Sequence, residues 1–249
     1  MAFQDHFSAG AADYARFRPV YPPRLFEFLA GLAPARRLAW DAGTGNGQAA
    51  IGLAVHFGEV QATDPSQKQL DAGRPHPRIT YRKGDEGDSG LPGGACDLVT
   101  AAQAAHWFDM HRFAGETKRV LGRGGVVAIW GYGLCAVGPG IDALVQQFYS
   151  ETTGPYWPPG RHHVDAAYRT LTFPFSETTL PEMSIEARLD LTHFSAYLRT
   201  WSAVQRLEQA TGSDPVQELL MELAPRWGEP SLERTVHWPL FGRVGSVPG

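Results

Sequence analysis

Apolar positions follow two rhythms along this chain. Between Arg36 and Tyr132, short apolar runs alternate with segments whose apolar residues recur three and four apart. The first rhythm predicts strands and the second predicts helices. "RRLAWDAG", "EVQATD", "RITYRKGD", "CDLVTAAQ" and "GGVVAIWGY" read as five strands. "NGQAAIGLAVHFG" places Ala49, Ala50, Leu53, Ala54 and Phe57 on one helical face and stops at Gly58. "PSQKQLDAG" predicts a second, shorter helix. "DMHRFAGETKRVLG" predicts a third, with Phe113, Thr117, Val120 and Leu121 inward and Arg112, Glu116, Lys118 and Arg119 outward. Strands alternating with helices imply an α/β fold: a mostly parallel sheet with helices on both faces.

The flanks read differently. Residues 1–33 form an expected helical cover, with one helix ending at Arg18 before Pro19 and another starting near Pro22 and Pro23. Residues 34–132 are the alternating core. Residues 133–212 read as an insertion: "YSETTGPYWPPGRHH" is irregular, and "HFSAYLRTWSAVQRLEQATG" predicts one helix. In 213–249, "SDPVQELLMELAP" predicts a helix capped by Ser213 or Asp214. "ERTVHWPLFGRVG" predicts a strand returning to the sheet. One domain over 1–249 is expected.

Composition narrows the function classes. The chain has 249 residues, 43% hydrophobic and 19% charged, as ordinary globular proteins do. A net charge of −4 gives no electrostatic footprint for nucleic acid. Cys96 and Cys135 fit neither a disulfide framework nor a metal spacing, which suits a reducing compartment. The apolar stretch from Gly124 to Ile141 is broken by glycines and Pro139, so no membrane span is expected. "MAFQDHFSAG" lacks the basic end and apolar run of a signal peptide, and a cytoplasmic location is expected. His162 and His163 stand beside each other, but no third ligand shows spacing, and no metal is expected.

The chemistry concentrates in "AWDAGTGNGQAA". A glycine loop after a first strand, opening a helix, faces an anionic or nucleotide ligand. Gly43, Gly45 and Gly47 make G-x-G-x-G, not the G-x-G-x-x-G of a dinucleotide site, and no Lys-Ser/Thr follows for a P-loop. Asp41 in front of the loop disfavours a pyrophosphate and suits an ammonium. Asp64 ends the second strand, 19 residues after Gly45, where an acid grips ribose hydroxyls. Asp85, after the third strand, is placed to accept from an adenine amine. An ammonium, a ribose and an adenine without phosphate describe S-adenosylmethionine.

D-x-G-x-G-x-G, then Asp64, "GDEGDSGLP" and "CDLVTAAQAAHWFD" resemble the class I S-adenosylmethionine-dependent methyltransferases. "ADYARFRPVYP", "GPYWPPGRHH", "LRTWSAV" and "VHWPLFGRVG" extend the likeness to the small-molecule, methyltransferase type 11 branch that includes trans-aconitate methyltransferase-like proteins. The resemblance implies a Rossmann-like, doubly wound sheet of seven strands, and S-adenosylmethionine as cofactor with S-adenosylhomocysteine as product. It implies that Asp41 holds the methionine ammonium, directly or through water. Gly43, Thr44 and Gly45 pass under the methionine and ribose, Asp64 with Pro65 binds the ribose, and Asp85 and Glu86 meet the adenine. Gln103 lines the methyl side, and Tyr14 and Arg18 close over the cofactor. The family's second acid falls on Gly87 here, with Asp88 next, so the adenine role stays open among Asp85, Glu86 and Asp88.

The acceptor pocket is expected between the sheet edge, the opening helix and the insertion. Trp107, Tyr132, Tyr156 and Trp157 offer aromatic walls, and Arg161 offers a hold for an acid. His106 is the nearest candidate general base. A small carboxylate, phenolic or heteroaromatic acceptor fits. The competing readings are a non-catalytic cofactor binder, a protein or nucleic-acid methyltransferase, and a nicotinamide dehydrogenase. Oligomeric state has no signal in the sequence.

Overall fold

The structure, a computed structural model, describes residues 19–247. Tyr14, Arg18 and the expected opening helix lie outside them. The strands are β1 (Leu38–Ala42), β2 (Glu59–Asp64), β3 (Ile79–Lys83), β4 (Cys96–Ala102), β5 (Leu121–Tyr132), β6 (Ser176–Thr178), β7 (Ser184–Leu189) and β8 (Arg234–Ser246). The helices are α1 (Pro23–Leu32), α2 (Gln48–Ala54), α3 (Gln67–Asp71), α4 (Met110–Val120), α5 (Pro139–Gln147), α6 (Arg161–Asp165), α7 (Leu191–Arg199), α8 (Ser202–Thr211) and α9 (Pro215–Trp227).

The sheet runs β3-β2-β1-β4-β5-β8-β6. β1 to β5 are parallel, and β8 returns antiparallel to β5. From β1 the chain winds outward through β2 and β3, then crosses back to β4 on the other side. That reversal leaves a crevice at the carboxyl ends of β1 and β4, where ligands of open α/β sheets sit.

Alternation along the strands builds two cores. Ala39, Leu98, Val126, Ala128 and Trp130 face one layer, with Leu25, Phe26 and Leu29 of α1 and Leu53 of α2. Trp40, Ala42, Val99, Val127 and Ile129 face the other, with Phe113 and Val120 of α4. The period of two sorts neighbouring residues onto opposite faces of the doubly wound sheet. Cys96 and Cys135 are free and buried; burial pushes both thiols up to about 12, so neither is a reactive thiolate.

Four expectations change. The sheet has eight strands rather than seven, because β8 is long enough to pair twice. Its first half, Arg234–Pro239, pairs with β7, and its second half pairs with β5 and β6. β6 is three residues long and exposed throughout, which hides it, whereas β7 alternates Ile185, Ala187 and Leu189 with Ser184, Glu186 and Arg188, a strand pattern that the sequence reading did not single out. The single helix expected over "HFSAYLRTWSAVQRLEQATG" is two, α7 and α8. Trp201 is extended (φ −69°, ψ 132°), and the Thr200 hydroxyl donates back to the Tyr197 carbonyl at 2.6 Å. Local hydroxyl bonding of this kind competes with the helix ladder. Glu116, expected outward, is buried on α4. It accepts from the Ser89 amide at 2.9 Å and from Arg119 Nε at 2.7 Å. The "YSETTGPYWPPGRHH" segment is not irregular throughout: a π-turn (Phe148–Thr152), a 3-10 turn (Gly154–Tyr156) and α6 occupy most of it. Among the described residues no helix is long and apolar enough to cross a membrane.

Candidate active site

The loop between β1 and α2 carries three left-handed glycines: Gly43 (φ 64°), Gly45 (φ 55°) and Gly47 (φ 84°). Any other residue there costs about 1–3 kcal/mol of backbone strain. A Cβ on Gly43 would lie 2.7 Å from Ala104 Cβ, and one on Gly47 would lie 2.1 Å from the Tyr81 hydroxyl. On Gly45 it would meet only Gln69 Oε1, at 3.8 Å. Two glycines are therefore demanded by packing, and the third keeps an open face of bare backbone.

Acids anchor this loop. Asp41 is fully buried and accepts from the Thr44 hydroxyl at 2.6 Å and the Thr100 hydroxyl at 2.7 Å. Loss of water raises its pKa to about 6; the two hydroxyls oppose the rise, and the charge of Asp64 adds to it. Both oxygens of Asp41 are engaged inside the fold, so its reach to an ammonium is electrostatic or relayed rather than direct. Asp64 ends β2 with Pro65 after it. One carboxylate oxygen accepts from the Gly45 amide at 2.9 Å and the other from the Ser66 amide at 2.8 Å. The acid thus ties the glycine loop to the next turn. Beyond β3, Arg112 of α4 grips both Asp85 oxygens at 2.9 Å and Glu86 at 3.1 Å. Asp88 pairs instead with Arg82.

Gln103 follows β4 at a positive φ of 52°, outside the range most side chains tolerate. Its amide Nε2 donates to the Tyr132 carbonyl at 3.1 Å, and its backbone amide donates to the Trp130 carbonyl at 2.8 Å. The residue is twisted across the end of β5. It opens onto a half-open cavity of about 50 Å³. Gln103, His106, Trp107, Tyr132, Trp157 and Arg161 all line it. Tyr156 does not: it sits in the 3-10 turn, where its carbonyl accepts from Arg206 at 3.5 Å.

Six lining residues escaped the sequence reading as site residues: Gly133, Leu134, Pro158, Tyr197, Trp201 and Ser202. Tyr197 and Trp201 were legible as an apolar helical stripe. Tyr168 was missed as well. It is fully buried at a positive φ of 61°, and its hydroxyl lies 3.0 Å from His106 Nδ1. Loss of hydration pushes His106 down to about 3, and the charge of Arg161 and the His163 ring add to the fall. The imidazole is neutral throughout the physiological range. His106 does not cap α4; Asp109 does, accepting from the His111 amide at 2.9 Å. His162 and His163 stack with ring centroids 3.8 Å apart, His162 against the Pro159 carbonyl and His163 against Thr170. Among the described residues no group of His, Cys, Asp and Glu is arranged to hold a metal ion.

A reversal crevice, a bare glycine loop and an acid closing β2 fit an adenosyl cofactor: the backbone face at Gly45 is open, and Asp64 is held beside it by that loop. Comparison with known proteins agrees on the class. A family model described as a methyltransferase domain matches residues 40–129, from β1 through β5. A Dictyostelium discoideum protein that carries a methyltransferase name without a stated substrate is 34% identical over 221 residues. The match covers 87% of this chain and 84% of that protein. A solved structure from Anaeromyxobacter dehalogenans, named for a type II methyltransferase, has a TM-score of 0.88 at 44% identity, covering 94% of this chain and 100% of that one. A Haemonchus contortus phosphoethanolamine N-methyltransferase, solved with S-adenosylhomocysteine, shares the fold. Its TM-score is 0.53 at 16% identity, over 100% of this chain and 61% of that one.

The chain belongs to the class I S-adenosylmethionine-dependent methyltransferases. It is a methyltransferase, with S-adenosylmethionine as its cofactor. The trans-aconitate-like branch is not resolved by these relatives.

Proposed function

We propose that the methyl acceptor is a small molecule held in the aromatic cavity beside Gln103. One observation carries this reading. The space next to the strained end of β4 is a half-open concave pocket walled in part by rings from the insertion, Trp157 and Trp201 among them. Concave sites that combine aromatic walls with a few convergent polar groups suit small ligands, and Gln103, His106 and Arg161 supply such groups here. The net charge of −4 gives no general attraction for nucleic acid.

On this reading Asp64 and Pro65 meet the ribose, and Gly43, Thr44 and Gly45 form the floor under the methionine. Asp85 and Glu86, held by Arg112, form the adenine end, and Asp41 sets a negative potential beneath the ammonium. When bound, the cofactor supplies a methyl group on a sulfonium with a good leaving group. The chain supplies orientation, worth roughly 7–11 kcal/mol in favourable cases. Gln103 positions the acceptor against the methyl side. Neutral His106 accepts a hydrogen bond from an acceptor atom that still carries its proton, and its low proton affinity favours acceptors that lose that proton readily.

The test uses labelled methyl donor with separated low-mass, protein and nucleic-acid fractions of a cell extract. Label is expected in the low-mass fraction, and His106→Gln is expected to slow its appearance by about tenfold or more. Label confined to protein or nucleic acid overturns the reading.

A further inference from the structure

Helix α6 ends in a turn that leads the chain to His106. Ala166 is its C-cap; the Ala167 amide donates to the Val164 carbonyl at 2.9 Å and the Tyr168 amide to the His163 carbonyl at 2.8 Å. This pair of bonds is the Schellman arrangement, which puts the first residue past the cap in the left-handed region and most often uses glycine there. Here that residue is Ala167 (φ 52°), and Tyr168 after it is left-handed as well (φ 61°). The cap accounts for the first and makes no such demand on the second. A bulky residue in that region is held there by its surroundings. Tyr168 is fully buried, with its ring edge-on to Phe241 and the centroids 5.1 Å apart. Its hydroxyl reaches His106 Nδ1 at 3.0 Å.

The same segment meets His106 a second time. A Cβ on Gly160 would lie 2.3 Å from the His106 carbonyl oxygen, so the backbone just before α6 lies against that of the 3-10 turn Ala105–Trp107. Two contacts with one residue therefore flank α6: main chain at its start and imidazole past its end. The first places the backbone of His106, and the second sets the rotation of its ring. Among the described residues, Nδ1 is bonded to Tyr168 and Nε2 is bonded to no protein group. His106 lines the acceptor cavity, so Nε2 is the nitrogen left for a ligand.

We infer that Tyr168 is a positioning residue for the methyl transfer: its hydroxyl oxygen accepts from His106 Nδ1–H and holds the tautomer in which Nε2 presents a lone pair to the acceptor. The inference rests on the reading of His106 as a proton acceptor given above and names what fits it for that role. A neutral imidazole carries one N–H, and the partner of one nitrogen decides what the other offers. With the proton on Nε2 the ring could only donate toward the cavity. With it on Nδ1 the step balances. The acceptor's oxygen or nitrogen forms the bond to the methyl carbon, the carbon–sulfur pair leaves with sulfur, and the acceptor's proton passes to Nε2. The imidazolium keeps its Nδ1–H on the Tyr168 oxygen and gives the Nε2 proton to solvent. Tyr168 is not among the residues that line the cavity, so it acts through the ring alone.

Nitrogen NMR tests this on the whole chain. The protein is isotopically labelled at its histidine nitrogens and bound to S-adenosylhomocysteine, and the ring signals of His106 are assigned with His106→Gln. At neutral pH the protonated nitrogen of His106 is expected to be Nδ1. Tyr168→Phe keeps the buried ring and removes only the hydroxyl. It should shift the proton toward Nε2, bind S-adenosylhomocysteine as the parent does, and slow labelling of the low-mass extract fraction by about tenfold. A packing role alone would leave the nitrogen signals where they are. A parent with its proton on Nε2, a variant that keeps the parent's tautomer, or a shifted tautomer with an unchanged labelling rate overturns the inference. The parent's signals decide it even where the variant does not fold. Label confined to protein or nucleic acid overturns the small-molecule reading and leaves the nitrogen result to stand by itself.

Discussion

Asp41 shows how much one buried carboxyl can do from beneath a loop. Ionising it inside the fold is unfavourable, so the folded chain holds its proton up to about pH 6, above the unfolded value of 3.8. The sign follows. Native protein binds the extra proton, and this residue's contribution to stability falls as pH rises from about 4 to about 6, by about 3 kcal/mol in all. A cationic ligand above the loop reverses the preference. Binding of S-adenosylhomocysteine, which carries an ammonium, is expected to release a proton near pH 6, with affinity rising through that window. Calorimetry in buffers of different ionisation enthalpy measures the release, and Asp41→Asn should abolish it. Identical release in that variant would show that another group is responsible. At this scale the sequence was most informative about the donor side. Three alternate glycines and two acids stand within 24 positions of one another, from Asp41 to Asp64, and each is a local demand on backbone or charge. The pairing of His106 with Tyr168, which lie 62 positions apart, has no such local sign.

Elements carry a different lesson. The apolar rhythm marked α4 and its boundaries, yet one residue on it, Glu116, turns inward against the pattern. Its partners explain the reversal: the Ser89 amide and hydroxyl and Arg119 together satisfy a carboxylate that periodicity alone assigns to solvent. Arg119, then the two donors of Ser89, hold the carboxyl down to about 2 despite burial. A depressed acid stabilises the fold above its unfolded value, near 4.5, and that contribution is lost as pH falls toward 2. Glu116→Gln should therefore lower stability at pH 7 and flatten its decline between pH 4.5 and 2, as urea unfolding across that range would register. An unchanged acid slope would mean that the cluster adds nothing. The split of α7 from α8 and the double use of β8 were hidden for a related reason. The helix breaks at the single extended residue Trp201, and β8 changes partners between Pro239 and Leu240 without leaving the strand, while the surrounding apolar pattern continues without interruption.

At the level of the whole molecule, sheet order follows from the alternation of strand and helix, and the crevice follows from the sheet order. Cofactor binding should report on that framework. At about 100 times its dissociation constant, S-adenosylhomocysteine adds about 2.7 kcal/mol to stability, a rise in melting temperature of roughly 5–10 °C for a chain of this size. NAD should add none; equal shifts from both would contradict the donor assignment. The two halves of the site are also put together differently. On the proposed reading the donor floor comes from one short contiguous piece, Asp41 to Asp64, whereas the acceptor walls are gathered from Gln103, Tyr132, Arg161 and Trp201. On that reading a lineage can exchange its acceptor by editing distant turns, one ring at a time, and never rewrite the stretch that forms the donor floor. The insertion is where descendants with new appetites should be sought.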